Sequence, residues 1–395
     1  MRRIGPTAVV VFGLVGCEAG LRPTGTSRDS LGVRIVESVA PAWREGAGWR
    51  VEAQPLVDLA ESGTGDMHLF LGVRDVLRAR SGHLVVADGG SQQIRVYDAD
   101  GLFLRAFGGP GEGPGEFRIL WSVVETHASA LLGVDFALGA SAAEFDIDSG
   151  LISTFRVPGG ATSLRHPVPS DLVWGLEAGY TMEDEDLESG LQRHPAMIVR
   201  MSEDRTSVHA VAQIPGNELF FLPEVEVNPV MGRMTHVVPT GRGEVVVGLA
   251  DGLEYSILDG QTGDVHLIAR IPGISLAVTE EEVDRERQVR LGRNPRPYIR
   301  DLLDRLPIPT RKPAYQNMLL DAEGNVWAGE FLGLARRYEP QDWYVWDSSG
   351  VWLGVVETPA RFEVMRVGVN EVFGVGRDLN DVEHPQVLRL VKPQG

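Results

Sequence analysis

Asp75, His236 and Asn317 each stand seven residues before a glycine (Gly82, Gly243 and Gly324) that closes the same short strand-like pattern. Placing three weaker copies of that pattern by their apolar runs adds Ser122, Ser163 and Glu363. All six are polar, while the positions two residues further on are mostly apolar (Leu77, Val124, Val238, Leu319 and Met365). Asp, Glu, His and Asn side chains are competent ligands for a divalent cation, so a ring of them around one axis would be a place to hold an ion. Residues that open a strand also meet solvent, and that alone favours polar side chains.

Other chemistry is thin. The chain has no GxSxG nucleophile elbow, no HExxH pair, no phosphate-binding P-loop and no dinucleotide fingerprint. No cofactor is therefore expected. The acidic run Glu183–Glu188 lacks the spacing of an EF-hand loop and reads as a solvated hairpin tip. The glycines of Gly108–Gly115 are followed by neither a lysine nor a helix start, which a phosphate cradle would need. With 37 Lys and Arg against 55 Asp and Glu the net charge is −18. A nucleic-acid partner needs a basic face, and this balance argues against one.

The elements that must position the polar ring are short strands. Ser81–Phe117 holds three strand-like runs, Leu84–Ala87, Ile94–Asp98 and Leu102–Phe107, with Asp100-Gly101 as a tight-hairpin signal between the last two. One such unit cannot bury both its faces and must stack on copies of itself. Copies recur over Val123–Val157, Leu172–Ile214, Glu244–Ile271, Asn325–Val356 and Val364–Val391. The last copy lacks a fourth strand, and Trp49–Leu59, near the N-terminus, has the features of an orphan fourth strand. The reading is an all-β fold: a six-bladed β-propeller of four-stranded antiparallel blades, closed by that N-terminal strand joining the C-terminal blade, which removes exposed sheet edges.

Ser81–Phe117 resembles an NHL-type propeller repeat, and Asp321–Trp327 with Trp346–Gly350 forms a second good copy. The whole chain resembles bacterial six-bladed β-propeller lipoproteins of unassigned function, a resemblance that implies a fold and little about activity. Gluconolactonase-like six-bladed propellers hold an axial metal ion with carboxylates and Asn. Their positions fall one residue earlier here, on Arg74, Trp121, Thr162, Thr235, Gln316 and Phe362, none of them a carboxylate. No metal is expected from that match, and a metal-dependent hydrolase or lyase stands as the alternative to a non-enzymatic binding module.

Connections between blades emerge on the face where the ring opens, and three are unusual, the first of them the glycine-rich Gly108–Phe117. Pro215–Arg233 carries Leu219-Phe220-Phe221-Leu222 where a loop is expected. Residues 277–312, between blades 4 and 5, form an insertion long enough to need its own structure. Thr279 as N-cap with Glu280–Glu282 in the first turn predicts a helix over Glu280–Leu291, and a second over Pro297–Leu306 ends before Pro307. Together these segments are expected to lid the ring, with Arg74, Phe220, Phe221, Tyr298, Tyr315 and Gln316 meeting a protein, peptide or glycan ligand.

The N-terminus predicts location. Arg2 and Arg3 precede a short apolar stretch from Ile4 to Val15, and Leu14-Val15-Gly16-Cys17 resembles a bacterial lipobox. Cys17 is the sole cysteine, so no internal disulfide can form. The stretch is short and broken by Gly5-Pro6, unlike a spanning helix. Residues 1–16 are thus read as a signal peptide, Cys17 as the lipidated residue, 17–32 as a flexible tether with roughly 20 Å of reach, and 33–395 as the propeller. The protein is expected in the cell envelope, anchored by its lipid to a bacterial membrane, and Glu18 after the cysteine favours the outer membrane, periplasmic side. Labelling with radioactive palmitate is expected to mark the wild-type chain and to be lost completely in Cys17→Ser.

Overall fold

The computed structural model describes residues 25–126, 128–135, 141–156, 174–178, 188–202, 204–223, 225–292 and 296–393. The signal segment, Cys17, Ser163, Thr162 and most of the acidic run lie outside them. The chain is built from consecutive antiparallel sheets, the pattern of a β-propeller. The first sheet comprises Val73–Arg78, Leu84–Asp88, Gln93–Tyr97 and Phe103–Gly108, and the second Leu120–Glu125, Leu131–Asp135, Ser141–Asp146 and Gly150–Arg156. The third shows three described strands, Trp174–Ala178, Pro195–Met201 and Val208–Pro215. The fourth contains His236–Pro239, Glu244–Gly248, Leu253–Asp259 and Val265–Ile271; the fifth Tyr315–Leu320, Val326–Glu330, Gln341–Trp346 and Trp352–Thr358. In the sixth, Phe362–Val367, Glu371–Arg377 and Glu383–Val391 are joined by Arg50–Asp58 as the outer strand.

Local chemistry sets these hairpins. Asp98, Asp146, Asp259 and Asp347 each turn a carboxylate oxygen onto backbone N–H groups two to four residues ahead, at 2.7–3.0 Å. The side chain thereby does the work of a backbone turn and fixes where the third strand gives way to the fourth. Between sheets the contact is apolar. Leu77, Val85 and Ile94 pack on Leu120, Val123 and Leu131, joining the first sheet to the second. Comparable clusters join second to third, third to fourth, fourth to fifth and fifth to sixth. Phe373, Val375 and Val387 of the sixth then pack on Val76, Val86 and Tyr97 of the first.

Two expectations need correction. The tether was expected to run to residue 32, but Gly25–Ser30 pairs with Val33–Ser38, and that second strand pairs in parallel with Val265–Ile271 on the outer edge of the fourth sheet. Its open edge supplies backbone partners, so a polar segment without an apolar face becomes a strand. Leu219–Leu222 is not a loop; it forms a small sheet with Gly190–Gln192 and Val225–Val227. The helices of the insertion span Glu280–Leu291 and Pro297–Arg305, and the first opens on a capping box in which Thr279 Oγ1 accepts from Glu282 N and Glu282 Oε2 accepts from Thr279 N. Val230, Met231, Leu303 and Leu306 bury together, with Phe220, Ile299 and Phe331 packed against them. The apolar run and the insertion therefore share one core.

The N-terminal segment continues along the outer rim. Ala42 N and Trp43 N donate to Trp352 O and Leu353 O of the fifth sheet at 3.0 and 2.8 Å before the chain enters the sixth. A Cβ on Gly354 would overlap the Trp43 ring. Gly354→Ala is expected to push that ring off the sheet and lower stability by about 1–3 kcal/mol, read as a fall in denaturant midpoint. Gly252→Ala, which meets nothing closer than ordinary contact, should leave it unchanged.

Candidate functional site

The polar positions at the inner strand starts do different jobs. Asp75 is 2% exposed, and both its carboxylate oxygens are taken by Arg366: Nε donates to Oδ1 at 2.8 Å and Nη2 to Oδ2 at 2.6 Å. The same Nη2 donates to Val123 O at 2.8 Å. Arg366 thus reaches from the innermost strand of the sixth sheet to those of the first and second. Burial pulls its guanidinium pKa down, but the charge and hydrogen bonds of Asp75 outweigh this and hold it above the usual arginine value. Ser122 is buried and its hydroxyl has no partner among the described residues. His236 is buried with its ring tilted on Tyr315, centroids 5.5 Å apart. Asn317 and Glu363 line a cleft.

A register detail explains the one-residue ambiguity in placing this ring. The first, second and fifth sheets each carry a bulge at the start of the inner strand, and Arg74, Trp121 and Gln316 are the extra residues. A bulge re-aims its side chain away from the strand's alternation. Arg74 lies over the Trp121 ring, 5.3 Å from its centroid. Gln316 accepts hydrogen bonds from Leu332 N and Gly333 N at 2.9 and 3.2 Å. In the sixth sheet the bulge falls later, at Met365, and it is there that Arg366 turns across the axis. Period-two alternation carries no signal for that shift, which is why Arg366 is missed in the sequence.

The cleft has a volume of about 630 Å³. Asn317, Gln316, Phe362 and Glu363 come from the inner strand starts, Arg337 and Tyr338 from the fifth sheet's long loop, and Glu286 and Arg290 from the first insertion helix. Glu286 is 2% exposed and fixes the lid: its two oxygens accept from Leu334 N and Ala335 N, each at 2.9 Å. Arg290 donates to Asn228 O at 3.0 Å, and burial pulls its pKa below the usual arginine value. Glu218 is engaged by the backbone and guanidinium of Arg233. Burial pushes that carboxyl up, yet the Arg233 hydrogen bonds and charge prevail and hold it below the usual range.

Two cleft arginines gather on one ring. The guanidinium carbons of Arg337 and Arg361 lie over Tyr338, 4.4 and 4.3 Å from its centroid. Arg361 adopts φ 60°, a left-handed conformation that costs a non-glycine residue about 1–2 kcal/mol. It is held there by Arg361 N donating to Tyr338 O and Arg377 N donating to Arg361 O. Arg337 spends its donors on Leu334 O and the Tyr338 hydroxyl and pairs with no carboxylate among the described residues.

The remaining expected lid contacts separate. Phe221 is buried and Phe220 half-buried in the insertion core, so neither offers an open apolar face. Tyr315 is buried; its hydroxyl donates to Glu254 O and accepts from Ala250 N, both at 3.0 Å, and burial pushes its pKa up. Tyr298 is 60% exposed on the second helix and does not line the cleft.

An axial metal does not fit these residues. Asp75 has no free oxygen toward an ion, Arg366 brings positive charge to the same place, and Thr235 donates to Pro215 O and Gly216 O. Among the described residues, the one group of three His, Asp or Glu side chains with ligand atoms within 4.8 Å is Asp58, Glu61 and His384, away from the axis. There Asp58 already accepts from Ala60 N and Gln386 Nε2.

No family model and no curated protein matches the chain by sequence. Its structure is similar to that of a protein of Bacteroides fragilis NCTC 9343 designated exported, at 12% identity and TM-score 0.51 over 87% of this chain and 95% of that one. It is also similar to a member of the DUF4221 family from Bacteroides vulgatus ATCC 8482, at 9% identity and TM-score 0.52 over 88% and 99%. At such identities the likeness is one of fold.

Arg366→Met leaves Asp75 buried without its counter-charge and is expected to cost about 3–5 kcal/mol in equilibrium unfolding. Adding Asp75→Asn should recover part of that loss, since the uncompensated charge is then gone.

Proposed function

We propose that this chain is an exported lipoprotein, held at a bacterial envelope membrane through Cys17, whose propeller is a non-enzymatic binding module. The six sheets are read as six blades in a closed ring, supported by the packing of the sixth sheet on the first and the outer place of Arg50–Asp58 in the sixth. Export and anchoring rest on the charged and apolar leader and on the sole cysteine at its end. The outer membrane is the proposed destination.

The observation that carries the binding reading is the lidded cleft. It has the volume of a ligand site, it opens over the inner strand starts, and its lid is docked by a buried glutamate rather than packed shut. Its polar groups are unequally spent. Glu218 and Glu286 are saturated from within, whereas Arg337 pairs with no carboxylate and Glu363 is exposed with no partner among the described residues. A protein, peptide or glycan that presents an acidic group to Arg337, and hydrogen-bond donors to Glu363 and Asn317, satisfies both ends; Arg361 beside it is already held by Asp381 and Asp378 O. Charge-assisted bonds to planar guanidinium give such recognition its strength.

The test is a glycan and peptide array probed with the full mature chain in detergent. Ligands captured by the native protein should bind Arg337→Glu/Tyr338→Ala at least about tenfold more weakly, a loss of roughly 1.4 kcal/mol, with thermal stability unchanged. Retention of the same ligands at the same affinity would place recognition elsewhere on the molecule.

A further inference from the structure

The opposite end of the axis has its own cavity, about 480 Å³, among the turns that follow the inner strands of the fourth and fifth sheets. Its walls are apolar: Val246 and Ile257 come from the fourth sheet, Leu319 and Val326 from the fifth, and Met365 from the sixth. A concave, mainly apolar space with a few polar groups is the usual form of a small-molecule site, and the state of those polar groups bears on what the ligand is.

Each acid here already has a hydrogen-bond or ion-pair partner. Glu244 Oε1 lies 3.2 Å from His266 Nε2. Asp321 accepts from Asn325 N and Nδ2, both at 2.8 Å, and from Trp327 Nε1 at 3.1 Å. Glu323 pairs with Lys392. The guanidinium donors are not all committed. Arg366 commits Nε and Nη2 to Asp75 and Val123, and its Nη1 has no acceptor among the described residues. Arg242, exposed at the cavity's turn, pairs with no carboxylate among them. Tyr255 also lines the cavity; it is 2% exposed, and its hydroxyl is buried with no partner among the described residues.

We propose that this cavity binds a small amphipathic carboxylate, such as a medium-chain fatty acid, by its tail between the fourth and fifth sheets and its head at Arg366 Nη1 and Arg242. The apolar walls exclude a fully polar ligand. The uncommitted guanidinium donors of Arg366 and Arg242 favour an anionic head over a cation of the same shape. The site lies on the face away from the lid and does not depend on what the lidded cleft takes.

Titration calorimetry of the full mature chain with decanoate tests this, with decyltrimethylammonium as the same tail on the opposite charge. Saturable one-to-one binding of decanoate and none of the cation is expected. Arg242→Glu, a change at an exposed turn, should weaken decanoate about tenfold, and Leu319→Trp should abolish binding by filling the cavity. Circular dichroism and thermal midpoint report whether each variant folds; if Leu319→Trp does not, Arg242→Glu decides alone. Absence of saturable binding at millimolar decanoate, equal binding of the cation, or full affinity in Arg242→Glu would each overturn the proposal.

Discussion

A carboxylate removed from water must be paired, because the desolvation of an isolated charge far exceeds what folding can supply. Asp75 meets that constraint with one residue, Arg366, and the pairing organises the axis. Arg366 belongs to the sixth sheet, Asp75 to the first, and the carbonyl that takes the same Nη2 to the second. Two consecutive sheets near the start of the propeller and one from its far end are thereby held in one register at their inner strands. The sheets pack against one another through non-directional apolar contacts, which tolerate sliding. A bidentate guanidinium–carboxylate pair does not, so the ion pair supplies the geometry that the apolar clusters leave loose.

The outer rim solves a different problem. Each outer strand offers unpaired backbone groups, a standing template for unwanted pairing. The N-terminal chain covers several of them in succession. It adds two strands to the fourth sheet, bonds to Trp352 and Leu353 of the fifth, and becomes the outer strand of the sixth. Trp43 and Trp49 lie between these stations, ring centroids 5.1 Å apart, and Lys392 rests over Trp49. The first described strands and the C-terminal strand are thus bound to the same side of the molecule, and axis and rim are held by separate means.

What was legible in the sequence follows from the range of each interaction. The Asp-led turns and the Thr279 capping box act within four residues, and hairpins and helix starts were readable to within a residue or two. The polar character of the inner strand starts was readable as well. Their division of labour was not, because it depends on bulges at Arg74, Trp121, Gln316 and Met365 that alternate patterning cannot register. Leu219–Leu222 read as an exposed apolar loop because its partners, Gly190–Gln192 and the insertion helices, are remote in sequence. Residues 25–32 read as a tether because their polar composition is that of a linker; a sheet edge gave them structure.

The axis pair also separates two chemically unlike ends. On the lidded face, donors and acceptors are mixed, and Glu286 keeps the helix docked through two backbone hydrogen bonds in a buried setting. A lid held by a buried carboxylate is costly to lift, since lifting leaves its acceptors unpaired until water arrives. The cleft beneath is therefore preformed, and a ligand entering from the side meets groups already in place, which lowers the ordering cost of binding. On the turn face the carboxylates are hydrogen-bonded or paired from within, and apolar side chains make up the larger part of the walls. Arg366 contributes to both ends of this asymmetry. Its charge is paired on the side facing Asp75, while Nη1 has no acceptor among the described residues and the side chain borders the cavity. One guanidinium, fixed by structure at two of its nitrogens, is thereby an oriented donor at the third.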